Sequence, residues 1–175
     1  MTTITISGLP GTGKTTVARL LEKRLGLRYV YSGEIFRDLA KKYKMSLEEF
    51  GKYCETHQEI DEKLDQYQLD ILRKGNVIVE GRISGWLAYQ NHIPAMKVLL
   101  AANINVRAGR IVKREQGVVE KRKKEILNRE KSEATRYKKY YGIDVRDTSI
   151  YDVIVDVSEK TPEEIMKIII EHLEA

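Results

Sequence analysis

The stretch ITISGLPGTGKTT, residues 4–16, contains the motif that decides the fold of this chain. Its part from Gly8 to Thr15 matches the pattern G-x-x-x-x-G-K-[ST], in which glycines let several backbone N–H groups point into one concavity. Alternating β-branched residues before the loop predict a short strand, and helical spacing follows over 15–26. Since a strand precedes the motif and a helix follows it, we expect the loop to bind the phosphates of a nucleoside triphosphate.

Composition narrows the class of protein. The chain has 175 residues with 42% hydrophobic residues, enough for one domain with its own core. Its single cysteine, Cys54, excludes an intrachain disulfide and a thiolate metal cluster, and it favours a reducing, cytoplasmic location. No signal peptide or apolar run of roughly 20 residues is seen, so no membrane partner is expected. The net charge of +5 can attract nucleic acid or a small polyanion such as a nucleotide.

Strand-like and helix-like segments alternate along the chain. Strands are predicted at 4–8, 28–33, 76–81, 95–102 and 151–158. Helices are predicted at 15–26, 34–43, 58–74, over most of 105–141, and after Thr161. This alternation predicts an α/β, three-layer P-loop NTPase fold, with a parallel sheet of about five strands flanked by helices. Ligands of such sheets bind beyond the carboxyl ends of the strands, where the glycine loop lies.

The glycine loop defines a candidate donor site. We expect Lys14 to reach the β- and γ-phosphates and the Thr15 hydroxyl to bind Mg²⁺. Glu80 ends the strand at 76–81 and either holds a water of the metal's shell or lies exposed at the strand end. The chain has no N-K-x-D guanine signature, which argues against a GTPase. The expected triphosphate-binding residues are Gly8, Leu9, Pro10, Gly11, Thr12, Gly13, Lys14, Thr15 and Thr16.

Arginines near the strand ends suggest a second phosphate site. Phosphoryl transfer between two nucleotides gathers many negative charges, so its site should contain several guanidinium groups. Ser32 and Gly33 open a helix after the second strand, and Arg37 lies one turn into it, which suits an acceptor phosphate. Arg82 follows the third strand at the same end of the sheet and is expected to face the cleft. Each of these arginines can also be read as an ordinary surface or loop ion pair.

Two more charged clusters lie in the second half of the chain. Arg110 and Arg114 are four residues apart and share a helix face. Arg129, Glu133 and Arg136 also project from one helical side, where the carboxylate can brace both guanidinium groups. The ordinary alternative is a solvated helix held by ion pairs, but the two clusters together favour a functional role.

Several segments together resemble the nucleoside monophosphate kinases, and most closely the cytidylate kinases of the short archaeal type. Besides the glycine loop they are SGEIFR (32–37), VEGR (79–82), REKSEATRYKKYYGIDV (129–145) and SIYDVIVDVS (149–158). The resemblance covers nearly the whole chain. It implies transfer of the ATP γ-phosphate to CMP, and to dCMP, with Mg²⁺ bridging the donor phosphates. It also implies one kinase domain over 1–175, with its core at 1–33, 76–114 and 134–175, an acceptor-binding helical segment at 34–75 and a lid at 115–133.

The resemblance assigns roles to the charged residues. Arg110 resembles a lid arginine that stacks on adenine. The implied catalytic residues are Lys14, Arg114, Arg129 and Arg136. The implied acceptor-binding residues are Ser32, Gly33, Arg37, Arg82 and Glu133. Ile83 stands where many relatives have aspartate, and the segment between 33 and 76 is short, so the residues that read cytosine stay unassigned.

Two other functions remain open at this stage. One is a kinase for another acceptor, such as UMP, AMP or a small metabolite, although the absence of a DGFPR segment argues against AMP. The other is a nucleic-acid-associated P-loop ATPase, suggested by the net positive charge and by Tyr137, Tyr140 and Tyr141, which could stack on bases. We expect small nucleotides rather than nucleic acid as partners, and a monomer.

Overall fold

A five-stranded parallel sheet lies at the centre of the computed structural model, which describes residues 2–175. The strands are β1 (Thr3–Gly8), β2 (Arg28–Tyr31), β3 (Val77–Glu80), β4 (Met96–Ala101) and β5 (Val153–Asp156). Their order across the sheet is β2-β3-β1-β4-β5, and every neighbouring pair is parallel. Because β1 is central, its carboxyl end lies where the strand order reverses, the usual ligand position of such sheets.

Eight helices connect and cover these strands within residues 2–175. They are α1 (Lys14–Leu25), α2 (Ser32–Lys42), α3 (Leu47–Cys54), α4 (Gln58–Lys74), α5 (Ser84–Gln90), α6 (Ile104–Glu115), α7 (Val119–Tyr141) and α8 (Pro162–Glu174). None of the helices described is both long and apolar enough to cross a bilayer. The predicted α/β alternation and strand number are therefore confirmed.

Apolar side chains fill the space on both faces of the sheet, as parallel strands require. One cluster joins the strands to α1 and α8 through residues such as Leu21 and Ile169, both fully buried. The other joins them to α4, α5 and α7 and includes Leu72 and Trp86. The sheet is thus the middle layer of the fold, and the functional loops lie at the carboxyl ends of its strands.

The structure differs from the sequence expectations in a few elements. The second strand ends at Tyr31, and Ser32 already starts α2, where its hydroxyl donates to the Glu80 carbonyl at 2.8 Å. The charged segment, predicted to be mostly helical over 105–141, forms two helices, because α6 ends before Gln116, whose φ is +60°. The helix α5 had no counterpart in the sequence prediction.

The inward face of α4 is polar at its middle. The spacing over 58–74 predicts an apolar stripe of Ile60, Leu64, Tyr67 and Ile71, and Ile60 and Ile71 are indeed buried. Tyr67, however, is 44% exposed, while the polar residues Asp61, Asp65 and Gln68 are buried. A helix packed only on a core would bury apolar residues at these positions. The buried polar residues indicate that this face of α4 lines a polar site and not only the hydrophobic core.

Candidate active site

The loop between β1 and α1 has the geometry of an anion-binding cradle. Gly11 has a φ of +83°, and a Cβ there would lie 2.5 Å from the carbonyl oxygen of Arg107. Only glycine meets both requirements, so α6 can pack directly against the loop. The helix α1 begins at Lys14, and its first N–H groups and its positive dipole end face the loop.

Lys14 is a buried cation at the centre of this cradle. It is 6% exposed, and its Nζ donates to the Leu9 carbonyl at 3.1 Å. Burial, followed by repulsion from Arg82, holds the pKa of Lys14 well below its usual range. A buried ammonium group with cationic neighbours is best stabilised by a bound anion, which is what the loop motif predicts.

A carboxylate stands next to the loop threonine. The Thr15 hydroxyl lies 3.1 and 3.0 Å from the two carboxylate oxygens of Glu80 and donates to them. The Tyr29 hydroxyl donates to the same carboxylate. Glu80 is 1% exposed, so the alternative of an exposed strand end is wrong. Hydroxyl and carboxylate oxygens are the ligands that Mg²⁺ prefers, and the pair fits such an ion.

A cavity of about 440 Å³ opens above the loop and collects most of the predicted cations. It is lined by residues of the loop and by side chains from α2, α3, α6 and α7. The sequence-predicted cations that line it are Lys14, Arg37, Arg82, Arg114 and Arg129. Since these residues come from five separate parts of the chain, their convergence on one cavity is typical of a polyanion site.

Glu133 holds two of these arginines. Its carboxylate accepts from Nε of Arg82 at 2.9 Å and forms an ion pair with Arg129 at 3.3 Å. Although burial opposes its ionisation, Arg82 and Arg129 outweigh that effect and hold the pKa of Glu133 below its ordinary value. The two guanidinium groups are thus oriented before any ligand arrives, but one carboxylate leaves them with excess positive charge.

Arg129 keeps donors available for a ligand. Its Nε is buried and lies 3.3 Å from the Glu133 carboxylate, but it donates no hydrogen bond to any residue among 2–175. Burial and repulsion from Arg82 lower its pKa from the usual arginine value. A buried N–H group that donates no hydrogen bond is costly, so a phosphate in the cavity would stabilise this arrangement.

The acceptor-side residues border a second, smaller cavity. Ser32 and Gly33 line it, together with residues of α4 and α7. Arg37 lines the larger cavity, and its guanidinium lies 5.7 Å from the centre of the Tyr31 ring. Lys14 and Arg82 border both cavities, which therefore adjoin one another.

Arg110 and Arg136 lie outside the larger cavity. Arg110 donates to the carbonyls of Thr12 at 3.3 Å and Val157 at 2.6 Å, so it braces the end of the loop. Arg136 is 2% exposed and donates to Asp61 at 2.8 Å. It also bonds to residues of α3 and α7 and borders the smaller cavity. The second arginine braced by Glu133 is therefore Arg82, and Arg136 has Asp61 as its partner.

Two more arginines contribute to the site, Arg107 from the same predicted cluster as Arg110 and Arg114, and Arg122. Arg107 is buried, pairs with Glu130 and donates to the Pro10 carbonyl at 3.3 Å, so it ties α7 to the glycine loop. Arg122 lines the larger cavity and had not been singled out. Arg122 lies seven residues before Arg129, and this spacing places both residues on the same helix face. The sequence could therefore have predicted that Arg122 belongs to the site.

Comparison with known proteins decides the family. Residues 3–159 match the sequence model of the cytidylate kinase-like family. The chain belongs to this family. It is 45% identical over 167 residues to the cytidylate kinase of Methanocaldococcus jannaschii, covering 95% of this chain and 94% of that protein. It is 46% identical over 173 residues to the cytidylate kinase of Pyrococcus abyssi, covering 97% and 94% of the two chains. The resemblance found in the sequence is confirmed.

Solved structures of other kinases share the fold of this family member. A gluconokinase from Sinorhizobium meliloti superposes with a TM-score of 0.66 at 16% identity, covering 99% of this chain and 91% of that one. At such low identity the likeness concerns the fold alone. It confirms the P-loop NTPase architecture predicted from the glycine loop.

Proposed function

We propose that this protein transfers the γ-phosphate of ATP to CMP, and to dCMP, forming ADP and CDP or dCDP. The observation that carries the proposal is the cavity in which Lys14, Arg37, Arg82 and Arg129 converge beside the glycine loop. Family membership and the names of relatives with 45% and 46% identity support CMP over other acceptors.

The donor side follows from the loop. The backbone N–H groups over 8–16 bind the ATP phosphates, and Lys14 neutralises the oxygens of the β- and γ-phosphates. Thr15 and Glu80 would hold Mg²⁺, which when bound supplies charge neutralisation at the donor phosphates. Arg110 keeps the end of the loop in place through its bond to Thr12, and we retain its stacking on adenine as part of the proposal.

The acceptor side follows from the arginines. Arg37 and Arg82 bind the acceptor phosphate, with Ser32, Gly33 and Glu133 shaping its surroundings. An oxygen of that phosphate bonds to the γ-phosphorus as the bond to ADP breaks, so no side chain is phosphorylated. Lys14, Arg114 and Arg129 stabilise the charge on the transferring group, and Arg136 holds α7 against α3 and α4 around it.

Two segments are proposed to move during the cycle. The smaller cavity measures about 50 Å³, against about 440 Å³ for the larger one, and the acceptor-binding segment 34–75 is proposed to move outward as CMP enters. That segment and the lid 115–133 then close over both nucleotides and exclude water, which would otherwise accept the phosphoryl group. The proposed lid boundary at 133 lies inside α7. The first part of the helix would therefore move, while its carboxyl end stays packed on the core. We also propose that the enzyme acts as a cytoplasmic monomer.

An acceptor panel tests the proposed function. ADP release from ATP is followed in a coupled assay with CMP, dCMP, UMP, AMP and GMP as acceptors. We expect CMP and dCMP to give the highest kcat/KM. A CMP rate no higher than the ATPase background, or a higher kcat/KM for another acceptor, would contradict the proposal.

A further inference from the structure

A polar cluster on α4 faces the smaller cavity. Asp65 and Gln68 are 6% and 4% exposed, and both border this cavity beside Arg82. Arg82 also lines the larger cavity, which holds the proposed phosphate sites. An acceptor whose phosphate lies near Arg82 therefore extends its base toward α4.

Asp65 fixes the orientation of the neighbouring amide. Its carboxylate accepts from the Tyr141 hydroxyl at 2.6 Å and from Nε2 of Gln68 at 3.1 Å. Above about pH 7, where Asp65 is ionised, its carboxylate only accepts hydrogen bonds, so the amide of Gln68 must turn its NH₂ group toward Asp65. The carbonyl oxygen Oε1 is thereby turned away from Asp65.

That oxygen is a buried acceptor without a partner. Oε1 of Gln68 accepts no hydrogen bond from any residue in the described range 2–175. It lies over the end of β3, because a Cβ added to Gly81 would come within 2.8 Å of it. Gly81 and Gln68 both border the smaller cavity. An oriented, desolvated acceptor at a cavity wall is explained by a ligand that brings a donor.

We propose that Oε1 of Gln68 accepts a hydrogen bond from the 4-amino group of the acceptor cytosine, and that Asp65 is the positioning residue for this contact. Uracil carries a carbonyl oxygen at the same position, so it would place a second acceptor against Oε1. The pair thereby selects cytosine over uracil. This inference rests on the proposed function, because it takes a pyrimidine monophosphate as the acceptor.

Substitutions of Gln68 test the contact itself. Gln68→Met keeps the length of the side chain but removes the acceptor, and we expect the ratio of kcat/KM for CMP to that for UMP to fall by about tenfold or more. Gln68→Glu is expected to share a proton with Asp65 and to keep an oxygen toward the base, so the ratio should stay near that of the wild type. Gln66→Met, on the exposed side of α4, is the matched control and should leave kcat/KM for CMP and for UMP unchanged.

A substitution of Asp65 tests its positioning role. In Asp65→Asn the new amide can donate to Oε1 of Gln68, so the Gln68 amide can turn its NH₂ group into the cavity and face the uracil carbonyl. We expect kcat/KM to fall for CMP and to rise for UMP. If Asp65 had a merely structural role, the substitution would lower kcat/KM for CMP and for UMP together. The KM for ATP should stay unchanged whichever role Asp65 has.

The outcomes separate this inference from the proposed function. Absence of CMP turnover in the wild type would overturn both. If the wild type prefers CMP, a fall of less than tenfold in Gln68→Met would overturn the inference alone. Circular dichroism checks that each variant is folded. If Gln68→Met does not fold, Asp65→Asn decides, and an unchanged ratio in that variant would overturn the inference.

Discussion

At the scale of single residues, the site contains charges that the fold alone would not favour. Lys14 is buried next to Arg82, and burial together with that repulsion lowers its pKa well below the usual range. The motif spacing predicted the place of Lys14 and Thr15, because the loop's backbone conformation is tied to its glycines. The partner of Arg136 could not be predicted in the same way, since Asp61 is 75 residues away along the chain.

Lys14 should therefore lower the stability of the nucleotide-free protein while it increases the rate of phosphoryl transfer. We expect Lys14→Met to lower kcat/KM by about 10²–10³ or more, because the loss removes a cation from the transferring phosphate. The same change removes a desolvated charge, so the nucleotide-free protein should gain about 1 kcal/mol, or about 2–4 °C in Tm. Lys124→Met, at an exposed position, is the control for the loss of one lysine. A lower Tm for the nucleotide-free Lys14→Met protein would show that the ammonium group stabilises the fold.

At the scale of elements, the helices α6 and α7 connect the proposed lid to the glycine loop. The charged composition predicted mostly helix over this region, as the structure shows, but it did not locate the break at Gln116, because glutamine with a positive φ carries no clear sequence signal. The polar face of α4 was missed for a related reason. Periodicity arguments assume that a buried face is apolar, and that assumption fails where the helix lines a site.

The ion pair between Arg107 and Glu130 is the link between these helices and the loop. The Arg107 side chain is 5% exposed, so Glu130→Gln leaves a buried guanidinium without its counter-ion. We expect the free energy of unfolding to fall by about 2 kcal/mol. The KM for ATP should rise, because Arg107 also holds the Pro10 carbonyl of the loop. Urea denaturation and initial rates measure the two effects.

A matched change on the same helix provides the control for that link. Glu120 pairs with Lys123 on the exposed side of α7, where its side chain is 79% exposed. Glu120→Gln should alter the unfolding free energy by less than about 0.5 kcal/mol. Equal losses in the two variants would mean that the Arg107 pair stabilises the protein no more than a surface ion pair does.

At the scale of the whole molecule, the alternation of strands and helices predicted the layers but not their polar seam. The continuous apolar runs at 76–81 and 95–102 are typical of strands covered on both faces, and the two core clusters confirm that arrangement. The seam between α4 and α7, in contrast, depends on pairs such as Tyr141 with Asp65, 76 residues apart. Such pairs can be seen only once the helices are packed.

This seam should make the stability of the whole protein depend on pH. Burial raises the pKa of Asp65 from 3.8 to about 7, and Asp61 adds to the rise, while the hydrogen bond from Tyr141 and the charge of Arg136 oppose it. The folded state therefore holds the proton more tightly than the unfolded state. Its stabilising contribution is complete below pH 3.8 and is lost as the pH rises to about 7.

Asp65→Asn should remove this pH dependence. Across that interval the unfolding free energy of the wild type should fall relative to the variant by at most about 1.4 kcal/mol per pH unit, because one proton is involved. Above about pH 8 the difference between the two proteins should stay constant. Urea denaturation at a series of pH values measures it, with Asp70→Asn on the exposed side of α4 as the control. If the difference in unfolding free energy between the two proteins does not change between pH 4 and 7, Asp65 releases its proton as readily in the folded protein as in the unfolded chain. The packing of α4 against α7 would then not shield this carboxylate from water.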